Sequence, residues 1–263
     1  MLKTALARLR QGYRTIAYPD GPPPAMPDRF CGCPSMEDSL CVENCTDCVD
    51  ACPTGALAVA AGKMSVDLGK CLFCRDCAQA CGKEAISFAA DYRLAVRHRN
   101  DLIVDRDHPT PRLADALDGK LKRLFGRSLK LRQVSAGGCN ACEADVNVLG
   151  TVGWDLGRFG IQFVASPRHA DGLLITGPVT ENMRLALQKT YDAVAEPKIV
   201  IAVGACAISG GIYIAHPQAH NGAENLLPID LYIPGCPPHP LTILDGLLRF
   251  LGRIEDNERV SKS

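Results

Sequence analysis

In the second half of the chain, short apolar, β-branched runs alternate with longer stretches of helical periodicity. IQFVA (161–165), GLLIT (172–176), KIVIAV (198–203) and DLYIP (230–234) have the length and residue types of buried strands. ENMRLALQKTYDAVA (181–195) and LTILDGLLRFLG (241–252) repeat their apolar positions at helical spacing. Strands alternating with helices predict an α/β domain in which a parallel sheet is covered by flanking helices. Residues 131–253 are assigned to it, followed by a polar tail, 254–263.

The first half has a different pattern. Residues 1–11 place Leu2, Leu6 and Leu9 beside Lys3, Arg8 and Arg10, the pattern of a short basic amphipathic helix. Such a helix suits docking on a neighbouring subunit or on the body of the protein, or lying on a membrane surface. The Pro-rich stretch 18–34 reads as an extended arm. Residues 41–81 hold eight cysteines with few long apolar runs; 35–95 are assigned to a separate cysteine-rich domain, read below as ferredoxin-like, and 96–130 to a linker. A helix is expected over 112–126, with Leu113, Leu117, Leu121 and Leu124 on one face.

Composition narrows the reading. The chain is 47% hydrophobic and 22% charged with zero formal net charge, an ordinary globular balance that gives no reason to expect nucleic acid as a partner. No apolar run is long enough for a spanning helix, and the N-terminus lacks the continuous apolar stretch of a secretory signal. The 14 cysteines are therefore read as thiolates in a reducing compartment rather than as disulfides.

Their spacing is specific. CTDCVDACPTGAL (45–57) and CRDCAQACGKEAI (74–86) form an internal repeat in which Cys45, Cys48 and Cys52 correspond to Cys74, Cys77 and Cys81. The second copy, from Cys71, has the full Cys-x2-Cys-x2-Cys-x3-Cys run. In that run three thiolates of one loop reach one 4Fe–4S cluster, and the fourth ligates the other. The crossover assigns Cys41, Cys45, Cys48 and Cys81 to a first cluster, and Cys71, Cys74, Cys77 and Cys52 to a second. Without metal so small a segment would have little core. Two departures stand out. Val42 occupies the position where the spacing calls for Cys, with Cys41 one residue earlier, and Gly82 replaces the usual Pro. Cys31 and Cys33 are left over. They substitute for Cys41, form a redox-active or metal-binding pair, or stand as free thiols in the arm.

Four more cysteines lie in GGCNACEADV (137–146), VGACAISGG (203–211) and PGCPPHP (234–240). Loops at the carboxyl ends of parallel strands converge on one edge of a sheet, so Cys139, Cys142, Cys206 and Cys236 are expected to come together. Four thiolates fit zinc as well as a 4Fe–4S cluster; the two clusters expected in the same chain favour iron–sulfur for the third. GGIY (210–213) and GGC (137–139) are turn glycines, not a nucleotide fingerprint.

Residues 1–90 resemble the two-cluster ferredoxin subunits of the complex I and energy-converting hydrogenase families. DRFCGCPSMEDSLC (28–41) is similar to their arm, although basic residues usually take the places of Cys31 and Cys33; the match puts Cys41 at the first ligand position. Residues 128–252 resemble the B-subunit family of NADH-quinone oxidoreductase and, more closely, the small subunit of membrane-bound, formate-hydrogenlyase-type nickel–iron hydrogenases. RSLKLRQVSAGGCNACEADVNVLG, PKIVIAVGACAISGG and IPGCPPHPLTILDGLL carry that match. Complex I has two adjacent cysteines at the first site, whereas Cys139 and Cys142 are separated, as in hydrogenases.

The resemblance implies a natural fusion and a flavodoxin-like C-terminal domain. It implies an electron-transfer subunit of an oxidoreductase complex with three 4Fe–4S clusters and no complete active site of its own. The implied partners are a large catalytic subunit, membrane subunits, and a ferredoxin or formate dehydrogenase donor, with the assembly peripheral on the cytoplasmic face of the cell membrane. A complex I-like quinone or ferredoxin oxidoreductase is the alternative, and a non-enzymatic iron–sulfur carrier or sensor is a second. Glu143 is a candidate proton carrier, or a helix-start carboxylate favoured by the dipole. Arg168, His169 and His239 tune the third cluster or shape an interface. His98, His108, His216 and His220 read as surface residues, and Trp154 as core or interface.

Overall fold

In a computed structural model, residues 2–41, 45–60 and 63–254 are described. Helix α1 (Leu2–Gln11) buries none of its residues and leaves Leu2, Leu6 and Leu9 exposed. The following arm has no regular element before β1 (Pro34–Met36), as its prolines dictate. It is nonetheless anchored: Arg158 donates to the carbonyls of Ile16 and Tyr18 at 2.7 and 2.6 Å.

The repeat in the cysteine region is also a repeat in structure. Helix α2 (Asp47–Asp50) precedes β2 (Leu57–Ala60), which turns back into β3 (Lys63–Asp67). Helix α3 (Asp76–Ala80) precedes β4 (Ile86–Phe88), and β4 pairs antiparallel with β1. The two helices and the two strands recur at the interval that separates Cys45 from Cys74. Strand β5 (Ile103–Asp105), in the stretch read as linker, pairs with β3 and completes a three-stranded sheet.

The linker helix is shorter than its periodicity suggests. Helix α4 spans Gly119–Phe125, and residues 112–118 are not helical. Two causes are visible. Asp118 accepts hydrogen bonds from the backbone N–H of Lys120 and Leu121 at 3.0 Å each, fixing the helix start. Upstream, the N–H groups of Ala114 and Leu117 bond to Ala95 and Phe250 carbonyls instead. Leu117 is buried in that extended stretch while Leu124 faces solvent, so the expected leucine face does not form.

The C-terminal half is built from β6 (Leu129–Ser135), α5 (Ala141–Val148), β7 (Ile161–Phe163), β8 (Gly172–Thr176), α6 (Glu181–Asp192), β9 (Ile199–Val203), α7 (Ala205–Ser209), β10 (Leu231–Ile233) and α8 (Pro240–Phe250). Its five strands are all parallel, in the order β10-β9-β8-β6-β7. Counted from β6, this is the flavodoxin-like order, with its topological switch point between β6 and β8. The four strands read from the sequence are present; β6 is the fifth.

Every residue of β8 and β9 is buried, as continuous apolar runs covered on both faces require. Leu174, Ile199 and Ile201 pack with Leu241, Leu244 and Leu248 of α8 on one face. Leu173, Ile175 and Val200 pack with Leu187 of α6 on the other. The two halves of the chain share core. Leu68, Leu94, Val96 and Leu102 form one cluster with Ala202, Ile208 and Tyr232. Val96 bridges to Tyr232 at the sheet edge, and Ser209 Oγ donates to the Gly69 carbonyl at 2.9 Å. No helix among the described residues is long and apolar enough to cross a membrane.

Candidate iron–sulfur sites

The first group of cysteines surrounds a cavity. Cys41, Cys45, Cys48 and Cys81 line a space of about 290 Å3, walled by Leu40, Met64 and Ala85. Cys45 precedes α2, Cys48 lies in it, and Cys81 follows the end of α3, so a cysteine of the second repeat lines the same cavity as those of the first. Val42 lies outside the described residues.

The second group lies in the partner loop. Burial pushes the Cys71 thiol up to about 12, and Cys77, Cys52 and Cys74 add to the rise. Burial likewise raises Cys77 to about 11, against the Ala78 backbone N–H, and the neighbouring Cys74 adds to the rise. In Cys52 burial works upward, but the backbone N–H groups of Thr54, Ala56 and Leu57 outweigh it and hold the thiol below its ordinary range; the Ala56 N–H reaches its sulfur at 3.2 Å. Amides that favour a thiolate in this way are what a metal ligand needs.

The third group is assembled by the sheet. Cys139 follows β6, Cys142 sits in the first turn of α5, Cys206 opens α7 directly after β9, and Cys236 follows β10. All lie beyond the carboxyl ends of strands. Burial is the main force raising Cys142, with Cys206, Cys236 and Cys139 adding to it. Cys206 is pushed up to about 11 by burial and then by Cys236 and Cys139. None of Cys139, Cys142, Cys206 and Cys236 is in a disulfide. Cys142 and Cys206 are half-buried while Cys139 and Cys236 are exposed; ionised together, the four would repel one another, the charge pattern a cationic metal centre offsets. The residues thus fit a thiolate-bound group. Among the described residues no three Cys, His, Asp or Glu side chains converge on a single-ion site.

Two glycines make the packing possible. Gly204 has φ +90°, and a Cβ there would stand 2.6 Å from Cys142 Sγ; one on Gly211 would stand 2.7 Å from Cys206 Sγ. Gly204→Ala is expected to displace the Cys142 thiol and strain the turn. The variant should keep the iron of the N-terminal half and lose about four irons per chain, as measured by iron analysis of the anaerobically purified protein.

Neighbouring groups also feel one another. Cys48 and Cys77 interact electrostatically across the first two groups, and Cys74 and Cys236 across the second and third.

Glu143 is buried in the first turn of α5. Its Oε1 accepts from Ser135 Oγ and Thr176 Oγ1, both at 2.6 Å. These hydroxyls end β6 and β8 and stand opposite each other in register, so the carboxylate is pinned at the switch point. Sequence reasoning missed Ser135 and Thr176; a hydroxyl closing each of two strands beside a helix-start Glu was the available signal. Glu143 also lines an open groove of about 670 Å3 with Gln133, Asn147, Phe163 and Met183.

His239 caps α8, its Nδ1 accepting from the Leu241 N–H at 3.1 Å. Burial lowers its pKa, and its ring meets Phe30 and Trp154 edge-on. Arg168 and His169 are exposed, and His220 pairs with Glu181 at 2.6 Å. The two spare cysteines face different surroundings. Cys33 is buried, and burial, then Asp91, push its thiol up to about 12. Cys31 is partly exposed and accepts a hydrogen bond from Arg75 Nε at 2.7 Å.

Residues 139–250 match the sequence profile of the family described as NADH ubiquinone oxidoreductase, 20 Kd subunit. The probable membrane-bound hydrogenase subunit mbhJ of Pyrococcus furiosus is 38% identical over 135 residues, covering 51% of this chain and 81% of the relative. The chain belongs to the 20 Kd subunit family. Within that family, formate hydrogenlyase subunit 7 of Escherichia coli is 40% identical over 151 residues, 56% of this chain and 59% of its own length. The NADH-quinone oxidoreductase B-subunit of Citrifermentans bemidjiense is 44% identical over 124 residues, 47% of this chain and 72% of its own. Among solved structures, a chain of the membrane-bound sulfane sulfur reductase, an archaeal respiratory membrane complex, is 34% identical with a TM-score of 0.45, covering 54% of this chain and 78% of that one. The 20 Kd family match begins at Cys139.

Proposed function

We propose that the chain is the iron–sulfur subunit of a membrane-associated oxidoreductase complex of the hydrogenase type, carrying one electron at a time between a donor and a large catalytic subunit. The observation that carries this reading is the convergence of Cys139, Cys142, Cys206 and Cys236 beyond the carboxyl ends of the sheet, in series with two groups from the repeated motif. When bound, a 4Fe–4S cluster takes up and releases a single electron. The chain's part is to hold the sulfurs in order, bury them, and set their surroundings. Cys41, Cys45, Cys48 and Cys81 hold the first cluster; Cys71, Cys74, Cys77 and Cys52 the second; Cys139, Cys142, Cys206 and Cys236 the third. The shared core and the Ser209–Gly69 bond fix the ferredoxin-like part against the 20 Kd-type domain, so the fusion sets the distance between the second and third groups.

Relatives named as membrane-bound hydrogenase and formate hydrogenlyase subunits support membrane and catalytic partners, with ferredoxin or formate dehydrogenase as the donor and a peripheral position on the inner face of the membrane. The separated Cys139 and Cys142 favour this branch. The relatives named as B-subunits of NADH-quinone oxidoreductase support a complex I-like second reading. Iron, sulfide and nickel analysis of the anaerobically purified complex, with hydrogen uptake on the same sample, tests both. About twelve irons per chain with nickel and hydrogen activity is the expected result. The same iron without nickel or hydrogen activity moves the assignment to the quinone branch. A stable monomer with no large subunit overturns both in favour of a carrier or sensor.

A further inference from the structure

Helix α1 keeps its leucines in solvent. Leu2 and Leu9 are 77% and 80% exposed, and Leu6 is exposed as well. The chain is nonetheless held to the C-terminal half just beyond the helix. Thr15 Oγ1 donates to the Val152 carbonyl at 2.9 Å, and the Ile16 N–H donates to the Gly153 carbonyl at 2.9 Å. The helix is thus tethered to the body without burying its apolar side there. Between them runs an open groove of about 800 Å3, walled by Ala5, Leu9, Tyr13 and Val152 among others. Tyr13 and Val152 are exposed too, so the leucine stripe continues towards the body as apolar surface left in water. Contiguous apolar surface of this kind marks a contact with a membrane or a partner.

Charge decides between the two. Leu2, Leu6 and Leu9 recur at i, i+4 and i+7 and form one stripe along the helix. At helical spacing Lys3 and Arg10 fall along one edge of that stripe and Arg8 along the other, with Thr4 and Gln11 on the back. Residues 2–19 hold four basic side chains, Lys3, Arg8, Arg10 and Arg14, and no acidic one, in a chain whose formal net charge is zero. Basic residues on both flanks of a leucine stripe complement a surface that is negative at its face and apolar beneath it. The long side chains reach up to headgroup phosphates while the leucines sink into the acyl boundary. A groove on a protein would accept the leucines equally well, but it gives no reason for cations on both edges without a single carboxylate among them.

We infer that α1 is the lipid-contacting element of this protein: it lies along an anionic membrane surface, with Leu2, Leu6 and Leu9 inserted at the headgroup boundary and Lys3, Arg8, Arg10 and Arg14 on the lipid phosphates. The inference rests on the peripheral membrane position proposed for the complex and names the residues that make the contact. Three leucines on a 10-residue helix give a weak, reversible attachment, and stable anchoring takes a second signal. In the complex that second signal is the membrane subunits, and α1 orients the iron–sulfur subunit over the lipid beside them. The basic part of the attraction is screened by salt and acts only within about 10 Å of the surface.

The test uses the anaerobically purified, cluster-loaded full chain and sedimentation with vesicles, either of phosphatidylcholine alone or of equal parts phosphatidylcholine and phosphatidylglycerol. The chain should partition onto the anionic vesicles at least about tenfold more strongly than onto the neutral ones. That excess should vanish in about 1 M salt, where charges are screened beyond about 3 Å. The combined Leu2→Ser, Leu6→Ser and Leu9→Ser variant should partition onto anionic vesicles at least about tenfold more weakly, and the Arg8→Gln, Arg10→Gln variant should fall by a similar factor. Both should keep the wild-type iron content, because α1 buries none of its residues. No partitioning onto either vesicle, or equal partitioning onto both, overturns the inference and leaves α1 to a partner subunit. Wild-type partitioning by the leucine variant places the lipid contact on another surface and overturns it as well. The vesicle measurement needs no partner, nickel or hydrogen activity, so the helix can fail while the proposed complex stands, and the complex can fail while the helix still binds lipid.

Discussion

Serine in place of Cys206 should leave the chain with about eight of about twelve irons and bring turnover of the assembled complex to background. The prediction follows from where Cys206 sits. It opens α7 on the end of β9, and the rest of α7 is buried. Ser209, one turn on, is tied to the Ala205 carbonyl at 3.1 Å as well as to Gly69. The backbone that presents the sulfur is thus held by the core, and a hydroxyl of nearly equal size does not disturb it. What changes is the ligand: a hydroxyl does not ionise in this range and is a poor partner for iron, where a thiolate is a good one. Circular dichroism of Cys206→Ser should match the wild type, and the iron of the N-terminal groups should remain. Full iron in this variant would remove Cys206 from the third site. A fall to about four irons would mean that the second group depends on the third.

Much of this arrangement could be read from the chain beforehand, and the parts that could not have physical reasons. Strands β8 and β9 are buried on both faces, so their sequences are unbroken apolar runs and declare themselves. Strand β6 does not. LKLRQVS keeps Leu129, Leu131 and Val134 buried, but Lys130, Arg132 and Gln133 interrupt the run, because Lys130 is exposed and Arg132 and Gln133 line the open groove beside Glu143. The leucines of 112–126 mimic a helix because residues 112–118 bury Leu117 in an extended stretch held by carbonyls distant in sequence, and sequence pattern carries no record of such partners. The repeated cysteine motif and the parallel, helix-covered sheet were both legible, the first from spacing and the second from strand–helix alternation. The hydroxyl pair that pins Glu143 was not, since Ser135 and Thr176 meet only once the parallel register is set.

Alanine at position 245 should cost the folded protein about 3–5 kcal/mol, the usual penalty for removing one partner of a buried charge pair, out of a total of about 5–15 kcal/mol for a typical domain. Asp245 lies in α8 at 0% exposure. Its Oδ2 accepts from Arg249 Nε at 2.8 Å, one helical turn away, and its Oδ1 from the Tyr18 hydroxyl at 2.6 Å. Burial pushes the Asp245 carboxyl up, against the pull of Arg249 and the Tyr18 bond. Removing the carboxylate therefore takes away the anion that faces a buried guanidinium and the acceptor of a buried phenol at the same time. Tyr18→Phe should cost less, about 1.5–3 kcal/mol for a hydrogen bond to a charged group, because the ion pair survives it. Urea unfolding of the cluster-loaded chain checks the order, and limited proteolysis reads the consequence. Tyr18 joins the arm to α8, and the same arm runs on to Cys31, Cys33 and β1. Both variants should open the arm to cleavage near residues 12–17, with Asp245→Ala the faster. Equal unfolding costs in the two variants would mean that the phenol, not the ion pair, holds the arm. Cleavage unchanged in both would place the anchor on Arg158, whose bonds to the Ile16 and Tyr18 carbonyls neither substitution removes.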